Sequence, residues 1–283
     1  MPPTPPSPER FKEAVRRQWD EAAGGWNDQT PQIRAWLAEA TRAMLDEAGV
    51  GQGCRVLDVA AGAGDQTLDI ARRVGPKGSV LATDLSPRIL ALAERNAGDA
   101  GLRNVETKVA DGEDLGLEGA GFDAAVCRLG LMFFPDPLRG LRGIHGALKP
   151  GGRFCALVFS EPGRNPCVGI VMATALKHAG VAPPDPFQPG GLFSLGKPGL
   201  IDGLLADAGF RHVEATRVGA PFRLRTAEDY VTFIRTSASP VLAGLDAGAQ
   251  NAAWAEMTER LAVFQTPTHW EGPNELLLAA GSR

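Results

Sequence analysis

Apolar residues near the N-terminus recur at helical spacing. Phe11, Val15 and Trp19 share one stripe, and Ile33, Trp36, Leu37, Ala40 and Met44 share another. Residues 9–48 therefore read as two helices, with Pro31 in the first turn of the second and Gly49, Gly51 and Gly53 closing it. From there the period changes. Short apolar runs at 55–59, 79–83, 105–109, 122–127 and 153–159 predict strands, and amphipathic stretches near 65–74, 87–97 and 137–148 predict helices between them. Ser86-Pro87 is a cap followed by a first-turn proline. Lys149-Pro150-Gly151-Gly152 reads as a turn that ends one helix and launches the next strand.

Strands alternating with helices imply a parallel sheet covered on both faces. Beyond residue 160 the alternation loosens. Residues 161–199 are rich in Pro and Gly around one apolar helix at 166–179, and a helix at 198–208 leads to a strand near 211–218. Residues 226–264 predict two more helices, the first capped by Thr226 with Asp229 three residues on. A strand at 275–280 ends the pattern. The organisation expected is a tail at 1–8, a helical cap at 9–48, a core at 49–160, an inserted segment at 161–199, and a remainder at 200–283 that carries the inserted helices 226–264.

Composition narrows the function classes. The net charge of −4 gives no electrostatic case for nucleic acid. No apolar run approaches the ~18 residues of a membrane span. The proline-rich start MPPTPPSP lacks the basic and apolar regions of a secretory signal. Cys54, Cys127, Cys155 and Cys167 form no C-x-x-C pair, so they are expected as free thiols in a reducing cytoplasm, with no metal site.

The chemistry is expected at the strand ends, where open α/β sheets bind ligands. The segment VLDVAAGAGD runs from an apolar strand through Asp58 and Ala60 into Gly62-Ala63-Gly64 and a helix. Small residues there let the backbone turn tightly and approach a ligand. The dinucleotide pattern G-x-G-x-x-G fails at its third glycine, where Thr67 stands. Asp58 at the strand end repels a pyrophosphate and suits a cationic ligand, such as the ammonium or sulfonium of S-adenosylmethionine. Asp84 ends the second strand, where a carboxylate accepts hydrogen bonds from ribose hydroxyls; its bland reading is a helix cap. Asp111 follows the third strand and suits an exocyclic amine, or else a plain turn.

These three acidic strand ends, followed by FDAAVCRLGLMFFPDP and LKPGG, resemble the class I S-adenosylmethionine-dependent methyltransferases. The branch most similar contains the ubiquinone/menaquinone-biosynthesis C-methyltransferases and many small-molecule methyltransferases. The resemblance runs from residue 11 to about 160 and extends weakly through Ala208-Gly209-Phe210 and the last strand. It implies a doubly wound, mostly parallel seven-stranded sheet of Rossmann-like form with helical cap additions. It also implies methyl transfer from S-adenosylmethionine to a small hydrophobic or aromatic acceptor by in-line displacement.

By the same resemblance, Asp58, Ala60, Gly62 and Gly64 hold the methionine part of the cofactor. Asp84 and Leu85 take the ribose and adenine; Asp111, Gly112 and Glu113 surround the adenine amine. Arg128 and Leu129 face the methionine moiety, with a surface charge as the other reading of Arg128. Trp26 stands where relatives often carry a cofactor-binding tyrosine. Ala60 replaces the usual first glycine of the loop. The segment from Gly130 to Phe134 lacks the asparagine-containing sequence of the quinone methylases, which argues against a ubiquinone or menaquinone product.

No catalytic base is assigned. His178 lies in the inserted segment, where it has a route towards the site, but an ordinary surface or capping role is the favoured reading of His145, His178, His212 and His269 alike. Trp19, Trp26, Trp36, Phe133, Phe187, Phe193, Tyr230 and Phe233 suggest an aromatic lid, with Gly24-Gly25 and residues 183–199 as hinges. The alternatives are an NAD-linked oxidoreductase and a non-catalytic module that binds S-adenosylmethionine.

Overall fold

A computed structural model describes residues 7–119, 121–237 and 242–283. Most of the tail expected at 1–8 lies outside these residues. Pro8 opens the first helix and Ser7 caps it, its hydroxyl accepting from the backbone N–H of Arg10.

The described residues form nine α-helices and nine strands. Helices α1 (Pro8–Asp28) and α2 (Thr30–Glu47) precede the alternating run of β1 (Arg55–Val59), α3 (Asp65–Val74), β2 (Ser79–Asp84), α4 (Pro87–Asp99), β3 (Val105–Val109), β4 (Phe122–Arg128), α5 (Pro137–Ala147) and β5 (Leu148–Phe159). After it come α6 (Pro166–Ala179), α7 (Leu200–Asp207), β6 (Arg211–Gly219), β7 (Phe222–Leu224), α8 (Ala227–Ser237), α9 (Ala247–Leu261), β8 (Trp270–Gly272) and β9 (Glu275–Ser282).

Seven strands form one sheet in the order β3-β2-β1-β4-β5-β9-β6. The first five run parallel, and β9 is antiparallel to both β5 and β6. The chain winds outward from β1 to β3, then returns to lay β4 on the other side of β1. The gap above β1 and β4 is the switch point at which such sheets bind ligands. Val56, Leu57 and Val59 of β1, and Ala124, Ala125 and Val126 of β4, are fully buried. Both faces of a central parallel strand are covered, so these strands are apolar throughout rather than alternating.

Local signals behave as their chemistry requires. The Ser86 hydroxyl accepts from the N–H of Ile89 at 3.1 Å and caps α4. Thr226 and Asp229 cap α8 reciprocally, at 3.1 and 3.2 Å.

Three expectations change. The stretch 149–152 is no free turn but the irregular start of β5, with a register shift against β4. Gly151 takes a φ of +80°, and a side chain on Gly152 would press on the Lys149 carbonyl. The Gly24-Gly25 pair is no hinge; both lie inside α1, where the carbonyl of Thr236 on α8 packs so closely over Gly25 that a Cβ would lie 2.1 Å from it. The pair β7 and β8 forms a separate two-stranded sheet that the sequence reading missed.

Candidate functional site

A cavity of about 110 Å³ lies over the switch point. Four successive strand ends build its floor: Ala60 and Gly62 after β1, Asp84 and Leu85 after β2, Asp111, Gly112 and Glu113 after β3, and Arg128 and Leu129 after β4. Helix α1 forms the roof through Phe11, Lys12, Trp19 and Trp26.

The loop after β1 is held open by its backbone. Gly62 takes a φ of +59° and Ala60 one of +55°. The N–H of Gly62 donates to Asp84 Oδ2 and that of Ser86 to Asp84 Oδ1, both at 2.9 Å. Burial pushes the Asp84 carboxyl up, and the N–H groups of Ser86, Gly62 and Leu85 pull it back. Each oxygen of an ionised carboxylate accepts two bonds, so Asp84 keeps capacity for a further donor.

Asp58 and Gly64 differ from expectation, because neither lines the cavity. Asp58 is fully buried behind the loop, where Gln66 Nε2 donates to one oxygen at 3.1 Å and Thr67 Oγ1 to the other at 2.6 Å. Its carboxyl ties β1 to the first turn of α3. Burial pushes it up to about 7, opposed by the bonds from Thr67 and Gln66 and by Arg128. Gly64 serves packing, since a Cβ there would meet Ala93 Cβ of α4 at 2.8 Å.

A fourth carboxylate, beside Asp84, Asp111 and Glu113, lines the cavity: Asp65, which the sequence pattern did not single out. Its Oδ1 pairs with Arg128, whose Nη1 donates to Thr41 Oγ1 at 2.9 Å. Its Oδ2 is buried without a hydrogen-bond partner among the described residues. A buried, unpaired carboxylate oxygen is costly and fits a cationic group brought by a ligand. The sequence signal was its place, directly after the glycine loop in the first turn of a helix.

Lys12 was also missed. Its ammonium reaches Asp111 Oδ2 at 2.7 Å and Glu113 Oε2 at 2.5 Å, across the end of the cavity. Glu113 Oε1 accepts from the N–H of Asp136 at 2.6 Å. The α1 ammonium thus sits where the strand-end carboxylates were expected to meet an amine.

A second cavity of about 500 Å³ adjoins the first, and Trp19, Trp26, Leu129 and Phe133 line both. Helices α1, α2, α6, α8 and α9 enclose it with apolar side chains, among them Trp36, Met172 and Met257, and Met132, Phe159 and Phe222 of the sheet edges and connecting turns complete the lining. Six of the eight aromatics expected in a lid line it; Phe187 and Phe193 do not. Phe193 is instead buried edge-on against Phe159.

No histidine lines either cavity. His178 has the ordinary surface role favoured for it: it pairs with Glu256 of α9 at 2.9 Å, because its face of α6 turns towards that helix. His145 packs edge-on against Phe210, His212 meets Ser282, and His269 meets Thr266 and Thr268. Among the described residues no group of three His, Cys, Asp or Glu side chains is placed to hold a metal ion.

Comparison with known proteins gives this geometry a family. The ubiquinone/menaquinone biosynthesis C-methyltransferase UbiE of Idiomarina loihiensis is 38% identical over 122 residues, 43% of this chain and 49% of the relative. The UbiE protein of Hahella chejuensis is 37% identical over 128 residues, 45% of this chain and 51% of the relative. The chain thus spans about half the length of the curated relatives it matches. The crystal structure of the YcgJ protein from Bacillus subtilis shares the fold, with a TM-score of 0.61 and 17% identity over 87% of this chain and 98% of that one. The model of the ubiE/COQ5 methyltransferase family matches residues 31–173, half of the chain, and the chain belongs to that family.

Proposed function

We propose that this protein transfers a methyl group from S-adenosylmethionine to an apolar small molecule held in the second cavity. The observation that carries the reading is the shared wall. A polar, acidic cavity at the strand ends opens beside an apolar one, with Trp19, Trp26, Leu129 and Phe133 between them.

The residues present suit the cofactor. Asp84 is positioned to accept from the ribose hydroxyls. The unpaired Oδ2 of Asp65 suits the α-ammonium of the methionine part. Asp111 and Glu113 suit the adenine amine once Lys12 yields them. S-adenosylmethionine supplies a methyl group already activated on a sulfonium. The protein's own work is to align the acceptor and exclude water. The apolar walls and the α1 roof do the second.

The segment from Gly130 to Phe134, where the sequence departs from the quinone methylases, contributes Met132 and Phe133 to the acceptor cavity. That placement favours an acceptor other than the quinone precursors for which the curated relatives are named. Asp65 and the absent third glycine weigh against the NAD-linked alternative. The four cysteines are unpaired and no helix among the described residues is long and apolar enough to cross a membrane, which supports a cytoplasmic enzyme acting on a small molecule.

Isothermal titration with S-adenosylhomocysteine and with NAD tests the cofactor, and release of S-adenosylhomocysteine on turnover tests the activity. Micromolar binding of S-adenosylhomocysteine is expected; a preference for NAD overturns the reading. Binding without turnover across a broad screen of apolar acceptors would leave the non-catalytic module.

A further inference from the structure

The two halves of helix α1 are held by different means. From Trp19 to Asp28 the helix is fastened to its neighbours. The Ser86 hydroxyl at the start of α4 donates to Asp20 Oδ1 at 2.5 Å, and Asn96 of α4 donates to Asn27 Oδ1 at 2.8 Å. Ala23 is buried in one cluster with Ala63 and Ile89, and Gly25 lies under the Thr236 carbonyl of α8.

The N-terminal half has a slighter hold. None of residues 9–22 is fully buried. Phe11 packs on Gly190. Among the described residues, one side chain from 9–18 makes a hydrogen bond or ion pair outside α1 and its cap. That side chain is Lys12, with Asp111 Oδ2 at 2.7 Å and Glu113 Oε2 at 2.5 Å. Segments with so little buried surface open at low cost. A helical stretch of about three turns is also marginal by itself. The ion pair therefore carries much of what keeps these turns down.

Its acceptors are built into the strand-end loops. The N–H of Glu113 occupies Asp111 Oδ1 at 2.9 Å, and the N–H of Asp136 occupies Glu113 Oε1 at 2.6 Å. The remaining oxygens turn to Lys12. The Glu113 side chain is only 4% exposed, so its charge is costly to leave unpaired. Whatever displaces the ammonium must supply a donor in its place. Burial opposes the charge on Lys12, and the two carboxylates outweigh it and hold the ammonium above its ordinary value. Lys12, Asp111 and Glu113 all line the first cavity.

We infer that residues 8–18 are a lid on the first cavity, latched by Lys12, and that a ligand opens it by competing with the ammonium for Asp111 and Glu113. The proposed function enters only in the identity of that ligand, the amine-bearing adenine end of the cofactor. The opening is a local unwinding up to Trp19 and not a swing of the whole helix, because the second half stays fastened to α4 and α8.

Stopped-flow mixing with S-adenosylhomocysteine tests the latch, read by the fluorescence of Trp19 and Trp26, which line the cavity. Lys12→Met should speed association about tenfold, since one charge-assisted contact no longer has to break first. Lys12→Arg keeps the cation and should stay close to the wild-type rate. Salt gives a readout that needs no variant. Raising it from about 20 mM to about 500 mM should speed association to the wild-type protein about threefold, and leave Lys12→Met unchanged. Hydrogen exchange without ligand reads the lid alone: residues 8–18 should exchange faster in Lys12→Met, with residues 19–28 unchanged.

Slower or unaltered association in Lys12→Met, or a wild-type rate that falls with salt, would overturn the inference. So would equal acceleration of exchange in both halves of α1, which would make Lys12 a structural contact of the whole helix. If S-adenosylhomocysteine binds none of the proteins while the exchange pattern holds, the cofactor reading falls and the latched lid stands. If it binds all of them at one rate and exchange does not change, the lid falls and the cofactor reading stands.

Discussion

The cavity at the strand ends and the cavity beneath the helices share four wall residues, yet they are assembled by different means. The floor of the first comes from β1 to β4, and its residues sit at fixed offsets because each strand must end in a loop at the same edge of the sheet. Its chemistry is carried by carboxylates and backbone N–H groups. The second draws on α1, α2, α6, α8 and α9, elements far apart in the chain, and its chemistry is mainly shape and apolar surface. The difference teaches where the family's constraint lies. On the proposed function, a common cofactor fixes the first wall and the second is free to follow the acceptor.

The comparison breaks if the two cavities are not independent. Gly62→Val is expected to abolish S-adenosylhomocysteine binding, by more than ~100-fold, and to leave binding of apolar probes in the second cavity intact. Gly62 sits at a φ of +59° that a branched side chain adopts only with strain, and it lines the first cavity alone. The protein should still fold, because a Cβ at this position meets only Trp26 Nε1 at 3.6 Å and Ile89 at 3.9 Å, ordinary contacts. Gly64→Val is the contrast: it collides with Ala93 and should lower the melting temperature instead. Normal cofactor affinity in Gly62→Val, measured by titration, would place the cofactor elsewhere.

A second test concerns the roof. At about 110 Å³ the first cavity lies below the ~300–1,000 Å³ usual for ligand pockets. If α1 is a cap, it shifts to admit a cofactor, and Lys12 leaves Asp111 and Glu113. Hydrogen exchange should show residues 8–28 and the α8 and α9 region gaining protection with S-adenosylhomocysteine, more than the outer core helices do. Truncation of residues 1–30 should impair turnover more than core folding. The Pro/Gly-rich stretch 183–199 moves with α1 in this view, because Phe11 packs directly on Gly190, where a Cβ would lie 2.3 Å from the ring. Unchanged exchange in these segments, with normal turnover by the truncated protein, would make them scaffold.

The two regions also differ in how legible they are. The strand-end loops could be read because the tight turn after β1, the acidic end of β2 and the first-turn prolines of α4 and α5 each have a local cause. Asp84 and Asp111 were expected at strand ends that way, and both line the first cavity. Asp58 was misplaced, from wall to support, because sequence spacing locates a strand end but not the side of it to which a side chain turns. Asp65 and Lys12 were missed for the same reason: one is a first-turn acid and the other a surface cation until α1 is folded over the sheet. In the second region the aromatic content was visible and the partners were not. Strands β7 and β8 are three residues each, too short to carry a period, yet they bring Phe222 and Trp270 against Tyr230.

Asp58 sharpens the comparison from the core side. Its carboxyl, at about 7, lies above the ordinary 3.8, so the folded protein holds a proton there that the unfolded chain has released. The stabilisation from that proton is fully present below the ordinary value and is lost as pH rises through about 7. Arg128 opposes the shift and Asp65 adds to it. Stability against urea should therefore rise as the pH falls from 8 to 5.5, and Asp58→Asn should flatten the dependence. A wild-type profile already flat over that range would mean that the bonds from Gln66 and Thr67 hold the carboxylate ionised.

The smallest expected effect comes from one methyl group at the border between the cavities. Ala60 occupies a left-handed backbone position, φ +55°, where the family usually has glycine. Its Cβ fills the space over Gly130, so that a Cβ built on Gly130 would lie 2.4 Å from it and 3.2 Å from Cys127 Sγ. Gly130 itself has a φ of −107°, open to alanine. The clash and not the backbone therefore keeps it glycine. Gly130→Ala alone should destabilise by about 1–3 kcal/mol, the usual cost of overpacking. Ala60→Gly alone should be near neutral, since relief of left-handed strain offsets the added freedom of the unfolded chain. Together they exchange the methyl from one wall to the other, and the double variant should recover most of the loss. A coupling of about 1–2 kcal/mol in a urea-denaturation cycle is the expected result. Additive effects would show that Cys127, whose contact survives the exchange, sets the limit at Gly130, and that Ala60 took the glycine's place for a reason other than packing.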